Sequence, residues 1–182
     1  RNGKPIISAP HIYESMKHIF VENPHLIFDG ELYADKFAND FNKIVSMVRK
    51  TKPTQSDLDA CKDVIKYHIY DLPSNNGTFI ERMNELKSIE LSSACVLVIT
   101  DTIDNEEMAM DFYGKYVDEG YEGQMLRTDG LYENKRSKTL LKHKSFVDEE
   151  YTILDICEGE GNRTGTCGYM VFQTNEGKRF KS

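Results

Sequence analysis

The sequence predicts an α/β (α+β) chain: a mixed domain of strands and amphipathic helices over residues 1–146, then a short all-β segment over residues 147–182. Three observations carry this. Up to Phe146, apolar residues recur with the helical period in some stretches and alternate with period two in others. Beyond Asp148 the helical periodicity stops, and short β-rich runs are separated by glycine turns. The length, 182 residues, gives one core-forming domain and a small appendage without need of disulfides or metal.

Behind Pro10, a residue favoured in a first turn, Ile12, Met16, Ile19 and Phe20 follow the helical period, so a helix runs to near Pro24. Over residues 26–33 the side chains alternate. Leu26, Phe28 and Leu32 share one face of a strand, and Asp29 and Glu31 share the other. Phe37, Phe41, Ile44, Val45 and Val48 predict a second amphipathic helix, and residues 50–56, with Pro53, read as a loop. Residues 64–72 read as a strand, Phe79, Met83 and Leu86 mark a short helix, and residues 94–100 form a continuous apolar run of the kind buried strands show. Asp104 is expected to cap a strong helix carrying Met108, Phe112, Tyr116 and Val117 that stops at Gly120. Residues 123–127 and 139–146 read as strands joined by a polar loop. In the tail, residues 152–157, 169–174 and a final run read as strands, with turns at 159–165 and 175–177. No internal repeat is present.

The chain carries 23 Lys and Arg against 30 Asp and Glu, a formal charge of -7, which argues against non-specific nucleic-acid binding. The charge is segregated, however: residues 134–147 hold five bases and no acid, and residues 148–160 six acids and no base. No stretch approaches the roughly 20 consecutive apolar residues of a membrane helix, and no secretory pattern opens the chain, so a membrane protein is excluded and a cytoplasmic location expected. Cysteines 61, 95, 157 and 167 lack C-x-x-C spacing and are expected as buried free thiols, although Cys157 and Cys167 could face each other across a hairpin. The start at Arg1 and the end on a basic, strand-like run predict a piece of a longer chain.

Lys142 and Lys144, two apart in a strand, project from one face about 7 Å apart, with Leu141 and His143 on the other. Such a pair makes a phosphate clamp, or equally a lysine guard on an exposed edge strand. Glu122, between Tyr121 and Gly123, stands where a helix end meets a strand and could hold a hard cation; a solvated surface role is the simpler account, as it is for Asp29 and Glu31. Tyr70 offers a ring for a base to stack on, or simply core packing.

In order along the chain stand Phe28-Asp29-Gly30-Glu31-Leu32-Tyr33, Tyr67-His68-Ile69-Tyr70-Asp71-Leu72-Pro73, Glu122-Gly123-Gln124-Met125-Leu126-Arg127 and Leu140-Leu141-Lys142-His143-Lys144-Ser145-Phe146. Together these resemble four successive motifs of the ATP-dependent DNA ligases, most nearly the small ligases of bacteriophages and bacteria. Tyr132, Lys135, Arg136 and Ser137 extend the fourth motif upstream. The resemblance implies largely antiparallel nucleotidyltransferase (ATP-grasp-like) sheets with flanking helices over residues 1–146, and the opening strands of an oligonucleotide-binding (OB) fold over residues 147–182.

It further implies ATP, carried as AMP, and a divalent metal, Mg²⁺ by its oxygen chemistry. Glu31 would contact the ribose, Tyr70 would stack on adenine, Glu122 would help hold the metal, and Lys142 and Lys144 would contact the α-phosphate. Arg1, in an Arg-Asn-Gly-Lys stretch like that following the family's nucleophile, is an expected contact of the nick's 5′-phosphate, with Arg136 and Arg127 as further DNA contacts. The implied partner is nicked duplex DNA, sealed by a monomer in a bacterial or phage-infected cell through enzyme–AMP and DNA–adenylate intermediates. The pattern departs from the family at one point: neither Asp29-Gly30 nor Asp129-Gly130 follows a lysine in a K-x-D-G motif, so the nucleophile is absent. The chain is therefore expected to be a fragment unable to self-adenylylate, missing also the family's closing basic motif. An RNA ligase, an mRNA capping nucleotidyltransferase and a non-catalytic nucleic-acid-binding remnant stand as alternatives.

Overall fold

The computed structural model describes residues 3–146 and 148–182. The chain divides into two compact units, Arg1–Lys144 and Ser145–Ser182. In the first, helix α1 (Pro10–Glu22) leads to strand β1 (Asp29–Tyr33), and helices α2 (Phe41–Val48) and α3 (Gln55–Val64) precede β2 (Lys66–Asp71). Helix α4 (Phe79–Ser88), β3 (Cys95–Leu97), α5 (Glu106–Asp118), β4 (Gly123–Arg127) and β5 (Leu140–Lys144) follow. Strand β2 is central in the sheet β1-β2-β3, antiparallel to β1 and parallel to β3, while β4 and β5 form a separate antiparallel pair.

The core is built where apolar periodicity from several elements meets. Ile12, Met16 and Ile19 of α1, Ile69 of β2, and Met83 and Leu86 of α4 are buried together with Leu26 and Leu72. Helix α5 ends as glycine chemistry requires. Gly120 takes φ 93°, its N–H donates to Val117 O and that of Tyr121 to Tyr116 O, the paired bonds of a Schellman end.

Several local expectations are corrected. The helix expected through Phe37–Val48 breaks in two: a 3₁₀ turn at Asp35–Phe37, then α2, whose N-terminal N–H of Lys43 is capped by the Asp40 carboxylate. The loop expected over 50–56 gives way to α3, begun by a capping box in which Thr54 and Asp57 exchange bonds. Val64 consequently ends a helix rather than opening a strand. Asn105, not Asp104, caps α5, and Ile99 is exposed because β3 ends at Leu97. Cys61 and Cys95 are buried thiols, but Cys157 is only partly buried and Cys167 is exposed. These two also lie diagonally, since Cys157 pairs with Tyr169 and Cys167 with Glu158.

The second unit is an open antiparallel sheet of β6 (Thr152–Glu158), β7 (Cys167–Gln173) and β8 (Arg179–Lys181). Among the described residues it does not close into a barrel, so the OB-fold expectation is met only as three strands. Gly159 and Gly168 let the β6–β7 connection close tightly: a Cβ on Gly168 would lie 2.7 Å from Gly159 Cα.

Within the first unit one buried ionic knot ties β4 to the larger sheet. Asp71 is 0% exposed and Arg82 of α4 1%. The guanidinium meets the carboxylate through two bonds, Nε–Oδ1 at 2.6 Å and Nη2–Oδ2 at 3.2 Å, and Arg127 of β4 also bonds Oδ2. Arg82 Nη1 donates to the carbonyls of Gly77 (2.8 Å) and Gly130 (3.0 Å), and Asp71 accepts from the Leu72 N–H (2.8 Å). Phe79 lies beneath both arginines, 4.4 Å from Arg127 and 5.6 Å from Arg82. Asp71→Ala should strand two guanidinium groups and destabilise the first unit by about 3–5 kcal/mol, read as a shift of its urea unfolding transition. A shift under 1 kcal/mol would show that the knot is solvated.

Candidate active site

The β1–β2 ladder pairs Glu31 with His68, so period-two alternation puts Tyr70 on the face that carries both. Gly30 makes the close approach feasible. A Cβ there would sit 2.5 Å from the His68 carbonyl oxygen and collide with the Tyr67 ring. Tyr70 is half-buried, and burial, then the nearby carboxylates of Asp29 and Glu31, push its phenol up to about 12. Tyr132, from the β4–β5 loop, donates to Asp29 Oδ2 at 2.8 Å, and burial followed by that bond raises it likewise to about 12. Both phenols therefore stay protonated near neutral pH.

On the other sheet, Met125 stands opposite Lys142 and Gly123 opposite Lys144. Glu122, delivered by the turn after α5, accepts from Lys142 Nζ at 2.8 Å. That hydrogen bond first, then the charges of Lys142 and Lys144, holds its carboxyl below the usual range. Lys142 is thus paired with Glu122, and Lys144, two residues on in β5, is near enough for its charge to act on the same carboxylate. Gly123 is required between them: its φ is 150°, and a Cβ would strike the His143 carbonyl oxygen.

Arg127 joins the two halves. Its guanidinium is committed to Asp71, next in chain to Tyr70, and its charge opposes the rise in the Tyr70 phenol. At 18% side-chain exposure it braces the site from within rather than standing on the surface as a contact arm. Arg136, by contrast, is exposed on the loop between β4 and β5, which is anchored by Tyr132 to Asp29, by Gly130 to Arg82 and by Asp129 to the Ile80 N–H at 2.9 Å. Arg1 lies outside the described residues. Among the described residues no cluster of three or more His, Cys, Asp or Glu side chains could hold a metal. Glu122 offers a carboxylate beside Lys142, a donor suited to a cation that arrives with phosphate oxygens and water.

An apolar cavity of about 560 Å³, lined by Ile12, Met16, Phe20, Ile44 and Val48 among others, reaches the β1–β2 sheet at Gly30, Glu31 and Tyr67. Its walls are mostly apolar, with Glu31 and Arg49 the charged side chains among them. Sequence reasoning missed Asp71, Arg82 and Gln124 as site supports. Arg82 did carry a signal, a charge on the same helical face as Phe79, Met83 and Leu86.

A family model described as "ATP dependent DNA ligase domain" matches residues 1–144. The DNA ligase of Enterobacteria phage T4 is 31% identical over 105 residues, 57% of this chain and 22% of the relative. The DNA ligase of Haemophilus influenzae is 24% identical over 182 residues, 97% of this chain and 65% of the relative. The chain thus spans from about a fifth to just under two thirds of these relatives. A solved Lig E DNA ligase, 26% identical, superposes with a TM-score of 0.72 over 85% of this chain and 60% of its own.

Gly123→Ala should loosen the ladder beside Glu122, costing about 1–3 kcal/mol for the backbone strain. Faster amide exchange at Gln124 and Lys144 is the expected reading, and exchange unchanged from the wild type would disprove it.

Proposed function

Since the chain belongs to the ATP-dependent DNA ligase family, we propose that it forms the adenylate-handling centre of a DNA ligase, a fragment of an enzyme that seals nicks in duplex DNA. The observation that carries this reading is the Glu122–Lys142 pair, with Lys144 beside it, set across the Asp71–Arg127 brace from Tyr70. A nucleotide spanning that brace would present its base to one sheet and its phosphates to the other.

On this reading Tyr70 stacks on adenine, and Glu31 on the same face takes the ribose hydroxyls. Lys142 and Lys144 approach the α-phosphate as compact point charges and stabilise the negative charge that builds as the adenylyl group moves. Glu122 would supply the protein's ligand to Mg²⁺, which when bound neutralises phosphoryl oxygens. Arg136 on its anchored loop, and Arg1, would contact the DNA 5′-phosphate, whereas Arg127 serves by holding the two sheets. The exposed bases of the 134–144 segment favour a DNA backbone despite the acidic total. Residues 147–182 would begin the OB domain.

Lacking a K-x-D-G lysine, this chain should form no covalent adduct with labelled ATP; a stable AMP adduct on it would show the nucleophile to be misplaced. In a chain extended to include that lysine, Lys142→Ala or Lys144→Ala should slow adenylyl transfer at least ~100-fold, as loss of a charge-stabilising donor does, with nicked DNA preferred over nicked RNA. Wild-type rates would remove the lysines from the site. Tyr70→Ala should weaken ATP binding about tenfold or more and Tyr70→Phe far less; equal losses would exclude stacking.

A further inference from the structure

We propose that Gln124 and His143, to which the ligase resemblance assigns no role, are positioning residues that set Lys142 and Lys144 against the nucleotide phosphates by clamping the β4–β5 ladder to helix α5. The inference rests on the nucleotide reading above and adds to it the means by which the lysines are aimed.

Gln124 and His143 face each other directly in the ladder, on the side away from Lys142. Gln124 is one of the few buried polar side chains among the described residues. Its Nε2 donates to Ala109 O of α5 at 2.8 Å and meets His143 Nδ1 at 3.2 Å. The amide orientation is fixed by this pairing, because the opposite flip would place two acceptors, Oε1 and Ala109 O, in contact. With both amide protons committed, His143 Nδ1 must accept, which places the proton of the neutral ring on Nε2; this tautomer is inferred from the network. The His143 ring also stacks on Tyr113, with centroids 4.3 Å apart and planes at 27°. Ala109 and Tyr113 are four residues apart on α5 and so share one face. One rung of the ladder is therefore tied through both strands to a single helical turn.

The consequence follows from period two. A slip of one residue in β5 would turn Lys142 and Lys144 toward α5 and send His143 to the opposite face. An apolar residue at 124 would fill the same space without the cost of burying an amide, but it would not select the register. The neighbouring rungs, Met125 with Lys142 and Gly123 with Lys144, inherit the alignment that Gln124 and His143 impose.

The test compares ATP with adenosine, binding to this chain and to Gln124→Met, His143→Leu and His143→Asn. Asparagine keeps an acceptor where Nδ1 stood. The first two variants should weaken ATP binding about tenfold while leaving adenosine within about twofold, and His143→Asn should recover most of the ATP affinity. Parallel losses for ATP and adenosine, or no loss for either, would overturn the clamp. If the wild-type chain binds neither ligand, the nucleotide reading fails. The clamp is then decided by amide exchange across Leu140–Lys144 without nucleotide, where about tenfold acceleration in the first two variants supports it and unchanged exchange refutes it.

Discussion

A carboxylate with no access to water, shared between two guanidinium groups, is the constraint around which the first unit is arranged. Asp71 ends the central strand β2, so whatever satisfies it must come to that point. One arginine comes from α4 and the other from β4, and the first also gathers the carbonyl of Gly130 at the base of the β4–β5 loop. Buried ion clusters of this kind are weak sources of net stability, since desolvation offsets most of the attraction. What this one supplies is direction. Four bonds from two arginines hold two separate sheets in one relation, and Tyr70 and the Glu122–Lys142 pair acquire theirs as a result.

The sequence was most legible where periodicity was strong and ends carried glycine or a capping residue. α1, α4, β4 and the stop at Gly120 follow directly from such signals. α3 was hidden because its surface is largely charged and only Cys61 is fully buried, so its one clear mark was the Thr54–Asp57 box inside a stretch broken by Pro53. The interruption before α2 was equally local: the apolar series of Phe37, Phe41 and Ile44 fits a continuous helix, yet Asp40 caps a new one. Of the site, the residue types and their spacing were readable for Glu31, Tyr70, Glu122 and the lysine pair. Which charges are buried was not. Acidic and basic side chains default to the surface, and only a partner distant in sequence, here Arg82 and Arg127 for Asp71, reverses that.

Arg127 shows how such a reversal changes a role. The ligase resemblance makes it a DNA contact, but its ring contact with Phe79 and its bond to Asp71 leave little of it accessible. Arg136, nine residues on, retains an exposed position because its loop is anchored by other residues: Asp129, Gly130 and Tyr132. Arg127 is thus an internal brace, while Arg136 stays at the surface.

The two ion pairs of the site differ in the same respect, and the difference bears on function. Asp71 has no solvent to fall back on, so its partners cannot be exchanged without stranding a charge. Glu122 and Lys142 are 73% and 53% exposed, and a pair so placed contributes little and parts easily. On the ligase reading that weakness is useful. An arriving phosphate can take Lys142 at small cost, and the carboxylate released is then available to a cation carried by the same phosphates. A rigid ionic brace beside an exchangeable one gives a site whose frame stays fixed while its charges change partners.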